Sequence, residues 1–175
     1  MKKFGLLITL FVLVLVLISC SSDDSTDSPV VISDSIVGAW TGTTVDYSGT
    51  SVTTLQGQSV TADFVGEAYD INYTVTFSEN PNILVSVGSY SLELTYTILG
   101  QTTTENVENV QFLEDGTWEQ NEDELIVTNN GETTAFEILE LTSNRLKLGL
   151  ETIEEFTEQG ADITSTIYAE LTFTK

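Results

Sequence analysis

The chain has 175 residues, with 27 Asp or Glu against five Lys or Arg, no His and one Cys. So acidic a chain repels phosphate, which argues against nucleic acid or an anionic lipid face as a direct partner. Without His there is no Ser-His-Asp or Cys-His catalysis, and a single Cys leaves neither an intrachain disulfide nor a soft-ligand zinc site.

Met1-Lys2-Lys3 is a short positive start, and Phe4 to Ile18 is a 15-residue uncharged run rich in Leu and Val. A positive start, a short apolar core and small residues at its end form an export signal, placed at 1–19. The alternative is a membrane-spanning helix, which needs about 20 apolar residues and a basic stop on its far side. This run is shorter and its flank is acidic. Leu17-Ile18-Ser19-Cys20 resembles the bacterial lipobox. The resemblance implies a lipid on the Cys20 thiol, cleavage before Cys20 and an acylated new amino terminus. Two or three acyl chains give stable anchoring. The other reading is a free thiol at the end of a signal. Ser21-Ser22-Asp23-Asp24 then resembles the acidic export signal of Bacteroidetes-type lipoproteins, which implies an outer-membrane, cell-surface location. Read without that resemblance, it is a solvated Ser/Asp linker. Lys2 and Lys3 fall before Cys20, so three basic and 27 acidic residues remain, a formal charge of −24.

Residues 20–34 form an acidic Ser/Asp/Thr tether with one proline, Pro29, expected to be disordered. Val30-Val31-Ile32 interrupts it as a candidate short strand against the domain edge. The remaining 35–175 are one domain's worth of chain. Nearly all of it reads as strand. Ile71, Tyr73, Val75 and Phe77 alternate with polar residues, as do Leu92, Leu94, Tyr96 and Ile98. The same holds for Leu146, Leu148 and Leu150, and for Ile167, Ala169, Leu171 and Phe173. Period two with one apolar face marks an antiparallel sheet with core on one side. Asn80-Pro81-Asn82, Leu99-Gly100-Gln101, Asp115-Gly116, Asn130-Gly131 and Gln159-Gly160 punctuate the runs as turns. The runs number twelve, some of them halves of one bent strand. The expected fold is all-β, an antiparallel up-and-down barrel of about eight to ten strands. Glu151 to Glu158 is either one helical turn, with Ile153 and Phe156 three apart, or a long acidic hairpin loop; the loop is preferred.

Gly38-Ala39-Trp40, on the first strand after the tether, matches the Gly-x-Trp opening of lipocalins. Phe112-Leu113-Glu114-Asp115-Gly116-Thr117-Trp118 resembles the Phe-x-x-Asp-Gly-Thr hairpin of lipocalin-like bacterial lipoproteins. Phe136-Glu137-Ile138 and Leu141 to Leu148 resemble the paired strands that follow it. The resemblance covers about 36–150 and implies a lipocalin-like barrel. Lipocalins usually place an Arg late in the chain over the first-strand Trp. Here the last strand has none, and Arg145 comes earlier. The later Thr-Asp-Tyr motif is also missing.

Trp40 is expected in the core, closing the barrel base. Trp118, just after a turn, is expected exposed or at a rim, where it could stack on a ligand. Tyr73, Tyr96 and Trp118 are the candidate ligand contacts. No catalytic, metal or cofactor site is read. The first functional reading is a monomeric, lipid-anchored surface protein that binds a small apolar or amphipathic molecule. The second is a surface interaction or structural module with no internal ligand. A two-carboxylate glycosidase ranks last, because it needs an acid of raised pKa in a pocket and these acids sit at turns and on polar strand faces. The inward positions are expected to be Tyr73, Val75, Phe77, Leu94, Tyr96, Ile98, Phe136, Leu148, Leu171 and Phe173. Their bulk predicts a mostly filled interior, with any ligand held shallowly at the open end.

Overall fold

A computed structural model describes residues 31, 32 and 34–175. The export signal at 1–19, Cys20 and the run Ser21, Ser22, Asp23, Asp24 lie outside the described residues. The strands are β1 (Val31–Ile32), β2 (Gly38–Leu55), β3 (Gln58–Ser78), β4 (Ile83–Ile98), β5 (Gln101–Val110), β6 (Gly116–Asn121), β7 (Glu124–Asn129), β8 (Glu132–Leu141), β9 (Arg145–Glu158) and β10 (Ala161–Thr174). The twelve expected runs merge into these because the β-branched sequence continues through the bends. Register shifts within β2 between Thr41 and Asp46, and within β3 between Tyr69 and Asn72, take up the bending.

Eight strands follow one another in the order β8-β7-β6-β4-β3-β2-β10-β9, and pairing of β8 with β9 closes them into an antiparallel ring. β1 adds in parallel, Val31 opposite Glu140 and Ile32 opposite Leu141, so the start of the domain does carry the short edge strand. Four connections share one form. Gln56-Gly57, Leu99-Gly100, Asn130-Gly131 and Gln159-Gly160 each hold positive φ at both positions. That is the two-residue hairpin whose twist matches the strands, and glycine meets it at little cost.

Three local expectations are corrected. Glu151 to Glu158 is neither helical turn nor loop; β9 runs on to Glu158, paired with β10 throughout. Apolar residues three apart fall on opposite faces of a strand, so Ile153 and Phe156 gave no strand signal. Asp115-Gly116 is not a hairpin tip but the end of an irregular connection at 111–115, with β6 starting at Gly116. Trp118 is therefore not at a rim. It is 6% exposed, edge-on to Phe77 at 5.6 Å, with Nε1 donating to the Ser78 carbonyl at 3.0 Å.

The ring is closed only over part of its height. β4 pairs β6 at Ile83 and Leu84 alone; from Tyr90 to Ile98 its partner is β5. β8 reaches β9 no further than Gly149. Below lies a closed base. Above it, β5-β4-β3-β2-β10-β9 continue as an open, curled sheet whose edges are β5 and the far part of β9. The core fills the base. Trp40, Val75, Leu84, Leu125, Ile138, Leu146, Leu148, Leu171 and Phe173 are wholly buried, joined by Tyr73, Phe77 and Tyr90. Burying each such side chain contributes roughly 1.5–3 kcal/mol against conformational entropy of similar total size.

Candidate functional site: the recess of the open half

The floor of the base is sealed. Trp40 lies wholly buried, and its Nε1 donates to the Ile36 carbonyl at 2.6 Å. Lys175 covers its ring, with Nζ 4.3 Å from the centroid and donating to the Val37 carbonyl at 3.2 Å. A lysine thus does here what the missing arginine of the last strand was expected to do, a cation over an aromatic face.

The side of the base is sealed by the 111–115 connection. Tyr73 Oη donates to the Leu113 carbonyl at 2.6 Å and accepts from the Leu113 N–H at 2.8 Å. Asp115 Oδ1 accepts from the Ser86 N–H at 2.7 Å, and Gln111 Nε2 donates to the Gly88 carbonyl at 2.6 Å. These side chains give partners to the Ser86 N–H and the Gly88 carbonyl on the stretch of β4 that pairs neither with β5 nor with β6. Tyr73 is thus a buried strut of the base and stands outside the recess of the open half. Burial holds its hydroxyl above the ordinary value of 10.0, with the hydrogen bonds from Ser86 and Leu113 offsetting part of the rise.

Above this floor the inward residues of the open half enclose a recess of about 410 Å³. Leu92, Leu94 and Tyr96 of β4 face Ile163, Ser165 and Ile167 of β10 across it. Tyr47, Ser51 and Thr53 of β2 and Phe64 of β3 form the wall between, and Val107, Val110, Glu154 and Phe156 reach in from the two edge strands. Even spacing along β2, β4, β9 and β10 puts their residues on one face, and Val107 and Val110, three apart, share it because the register shift opposite Tyr90 and Leu92 gives β5 an extra residue. Phe64 can lie flat against the wall because residue 49 is glycine; a Cβ there would sit 2.6 Å from the ring. The Phe64 and Tyr96 rings pack at 5.8 Å.

Tyr47 belongs to both regions. It lines the recess, and its hydroxyl shares a 2.9 Å hydrogen bond with that of core residue Tyr90. Burial raises the pKa of both phenols; for Tyr47 the Tyr90 hydrogen bond offsets part of the rise and the charge of Glu154 adds to it. Burial, then the charge of Glu105, raises that of Tyr96. A smaller recess of about 300 Å³ opens beside the 111–115 connection, lined by Phe112, Val127, Phe136 and Leu150 with polar groups around them. Another, of about 380 Å³, is bordered by Asp123, Glu124, Glu137 and Glu151. Among the described residues no group of His, Cys, Asp or Glu is placed to hold a metal ion.

Of the three candidate ligand contacts, Tyr96 stands in the recess of the open half and Tyr73 is core; Trp118 is buried, but one side of it borders a shallow outer recess of about 500 Å³ whose lining is largely polar, with Asn82, Thr117, Glu119, Thr128 and Thr133. Leu94 is in the recess of the open half too, while Ile98, expected inward, is 42% exposed at the end of β4. Tyr47, Phe64, Glu154 and Phe156 escaped the sequence reading. Tyr47 sits in a Thr- and Ser-rich stretch of weak alternation, Phe64 is followed directly by Val65 so that apolar residues fall on both faces, and Phe156 sits in the segment expected as a loop. A family model described as a lipocalin-like domain matches residues 36–148. No curated protein and no solved structure matches the chain.

Proposed function

Since the chain belongs to the lipocalin-like domain family, we propose that it binds a small apolar or amphipathic molecule in the recess of its open half. The observation that carries this reading is the contrast between a base whose inward side chains are buried and whose floor is sealed, and the recess of about 410 Å³ above it, open and lined mostly by Leu, Ile, Val and aromatic side chains, where the outer recess of about 500 Å³ beside Trp118 is lined largely by polar ones. That volume is in the range of small-ligand sites, which are mostly apolar with a few polar groups. The role is binding, not catalysis: the carboxylates stand on turns, rims and outer faces. The protein acts as a monomer on the outer surface of an outer membrane, held by a lipid on Cys20, with Asp23 and Asp24 as part of its export signal.

A neutral fluorescent naphthylamine probe tests the binding site. It is expected to bind one molecule per chain, and Leu94→Asp, which puts a charge in the apolar wall, to abolish that binding. If the probe does not bind, the chain is a surface module without an internal ligand. The anchor is tested separately. Labelled palmitate is expected to enter the wild type and not Cys20→Ser, and equal labelling of the two rules the lipid out. Replacing Asp23 and Asp24 with Ala is expected to protect the protein from protease added to intact cells; unchanged digestion reduces the pair to linker.

A further inference from the structure

We propose that the recess selects an amphiphile with a cationic head, an amine or quaternary ammonium, over neutral or carboxylate-headed molecules with the same body. This rests on the reading of the recess as a ligand site and adds the ligand's charge class to it.

The recess lacks any basic residue. The basic residues described are Arg145, Lys147 and Lys175, and all three are engaged in the base. Arg145 pairs with Glu140 at 3.0 Å, Lys147 with Glu170 at 2.8 Å, and Lys175 caps Trp40. None lines the recess. A carboxylate or phosphate head would leave water for a site without a counter-ion, which costs free energy.

Glu154 is the one charged residue of the recess lining, carried on edge strand β9 beside Phe156. Its carboxylate is exposed, so a cation meeting it stays half-hydrated at the rim while its apolar body enters. Tyr47, Phe64, Tyr96 and Phe156 add four aromatic rings, whose faces attract ammonium groups. The field within is negative: the charge of Glu154 is felt at the Tyr47 hydroxyl and that of Glu105 at the Tyr96 hydroxyl. Raised phenol pKa values keep both hydroxyls neutral, so they remain uncharged neighbours to the head group.

A chain this acidic attracts cations everywhere, so the test must separate the site from the general field. Glu155 supplies the control. It follows Glu154 in β9, points to the opposite face and is absent from the recess. Octylamine, octanol and octanoate are titrated by calorimetry against the full chain at physiological salt, where distant surface charges are screened. Octylamine is expected to bind about tenfold tighter than octanol, as an added carboxylate and aromatic contact allow, with octanoate weakest. Glu154→Gln is expected to remove most of that preference and leave octanol binding unchanged; Glu155→Gln is expected to keep it. Octanol or octanoate binding as tightly as octylamine overturns the charge preference and leaves the recess a ligand site. Equal loss in both variants also overturns it, since the preference is then the general field. If none of the three binds, the ligand site itself falls, and the preference with it.

Discussion

The closed base and the open half are built from the same alternating strands, yet one is a core and the other a recess. In the base each inward side chain meets another across the ring. Tyr73 packs against Phe173 at 6.1 Å and Tyr90 at 5.9 Å, Phe77 meets Trp118, and burial is complete. In the open half the ring lacks the β6-β7-β8 wall, so Leu94, Tyr96, Ile163 and Ile167 face one another only across the recess and stay half-buried. Composition follows this. The open face mixes Ser51, Thr53 and Ser165 among its apolar residues, with Ser51 and Ser165 bonded to each other at 3.0 Å. The difference teaches that strand pairing, not residue pattern, decides whether an apolar face becomes core or recess.

The largest expected effect falls on the buried phenols of the base and of its border with the recess. Tyr47, Tyr73 and Tyr90 have folded pKa values raised above 10.0. Their neutral forms are favoured by folding, so the stability they contribute is fully present below pH 10 and is lost as pH rises through the folded values. Absorbance at 295 nm and far-UV circular dichroism, followed above pH 10, are expected to show these phenols ionising together with loss of sheet. Ionisation near pH 10 with the sheet intact would show that the base is wet.

Trp40→Ala comes next, with an expected cost of about 3–5 kcal/mol in denaturant unfolding. That is a large share of a typical total of about 5–15 kcal/mol. A midpoint within experimental error of wild type would place Trp40 outside the core. Tyr73→Phe removes one oxygen and leaves the Leu113 N–H and carbonyl without that partner. Its expected cost is about 1–3 kcal/mol, with little change in probe binding. Loss of binding at unchanged stability would instead make Tyr73 part of the site.

The smallest effect on stability, and the sharpest contrast, is expected in the open half. Phe156 is 48% exposed. Phe156→Ser is expected to change stability by no more than about 0.5 kcal/mol while weakening the naphthylamine probe severalfold. A large stability loss there would mean that the open half is a second core.

Much of this was legible beforehand. Strand phase, the all-β class and the burial of Val75, Phe77, Leu148 and Leu171 follow from local alternation, the burial of Trp40 from its bulk on the first strand, and the short Val31–Ile32 strand from an apolar run within the tether. Of the recess lining, Leu94 and Tyr96 were legible as inward positions, and the bulk of the inward residues foretold the filled base. Trp118 misled because proximity to Asp115-Gly116 implied exposure, whereas the turn chemistry there serves a pinned connection. Lys175 gave no signal, since nothing local relates it to Trp40, 135 positions away.

By itself the sequence determined which face of each strand is apolar, because a period of two is written within a few residues. It also determined the acidity and the lipobox-like segment around Cys20. Only the tertiary structure decided where β4 exchanges β6 for β5 and where β8 leaves β9, and so which apolar faces are covered. Those pairings join residues far apart in the chain, and their energy depends on partners that no local pattern specifies.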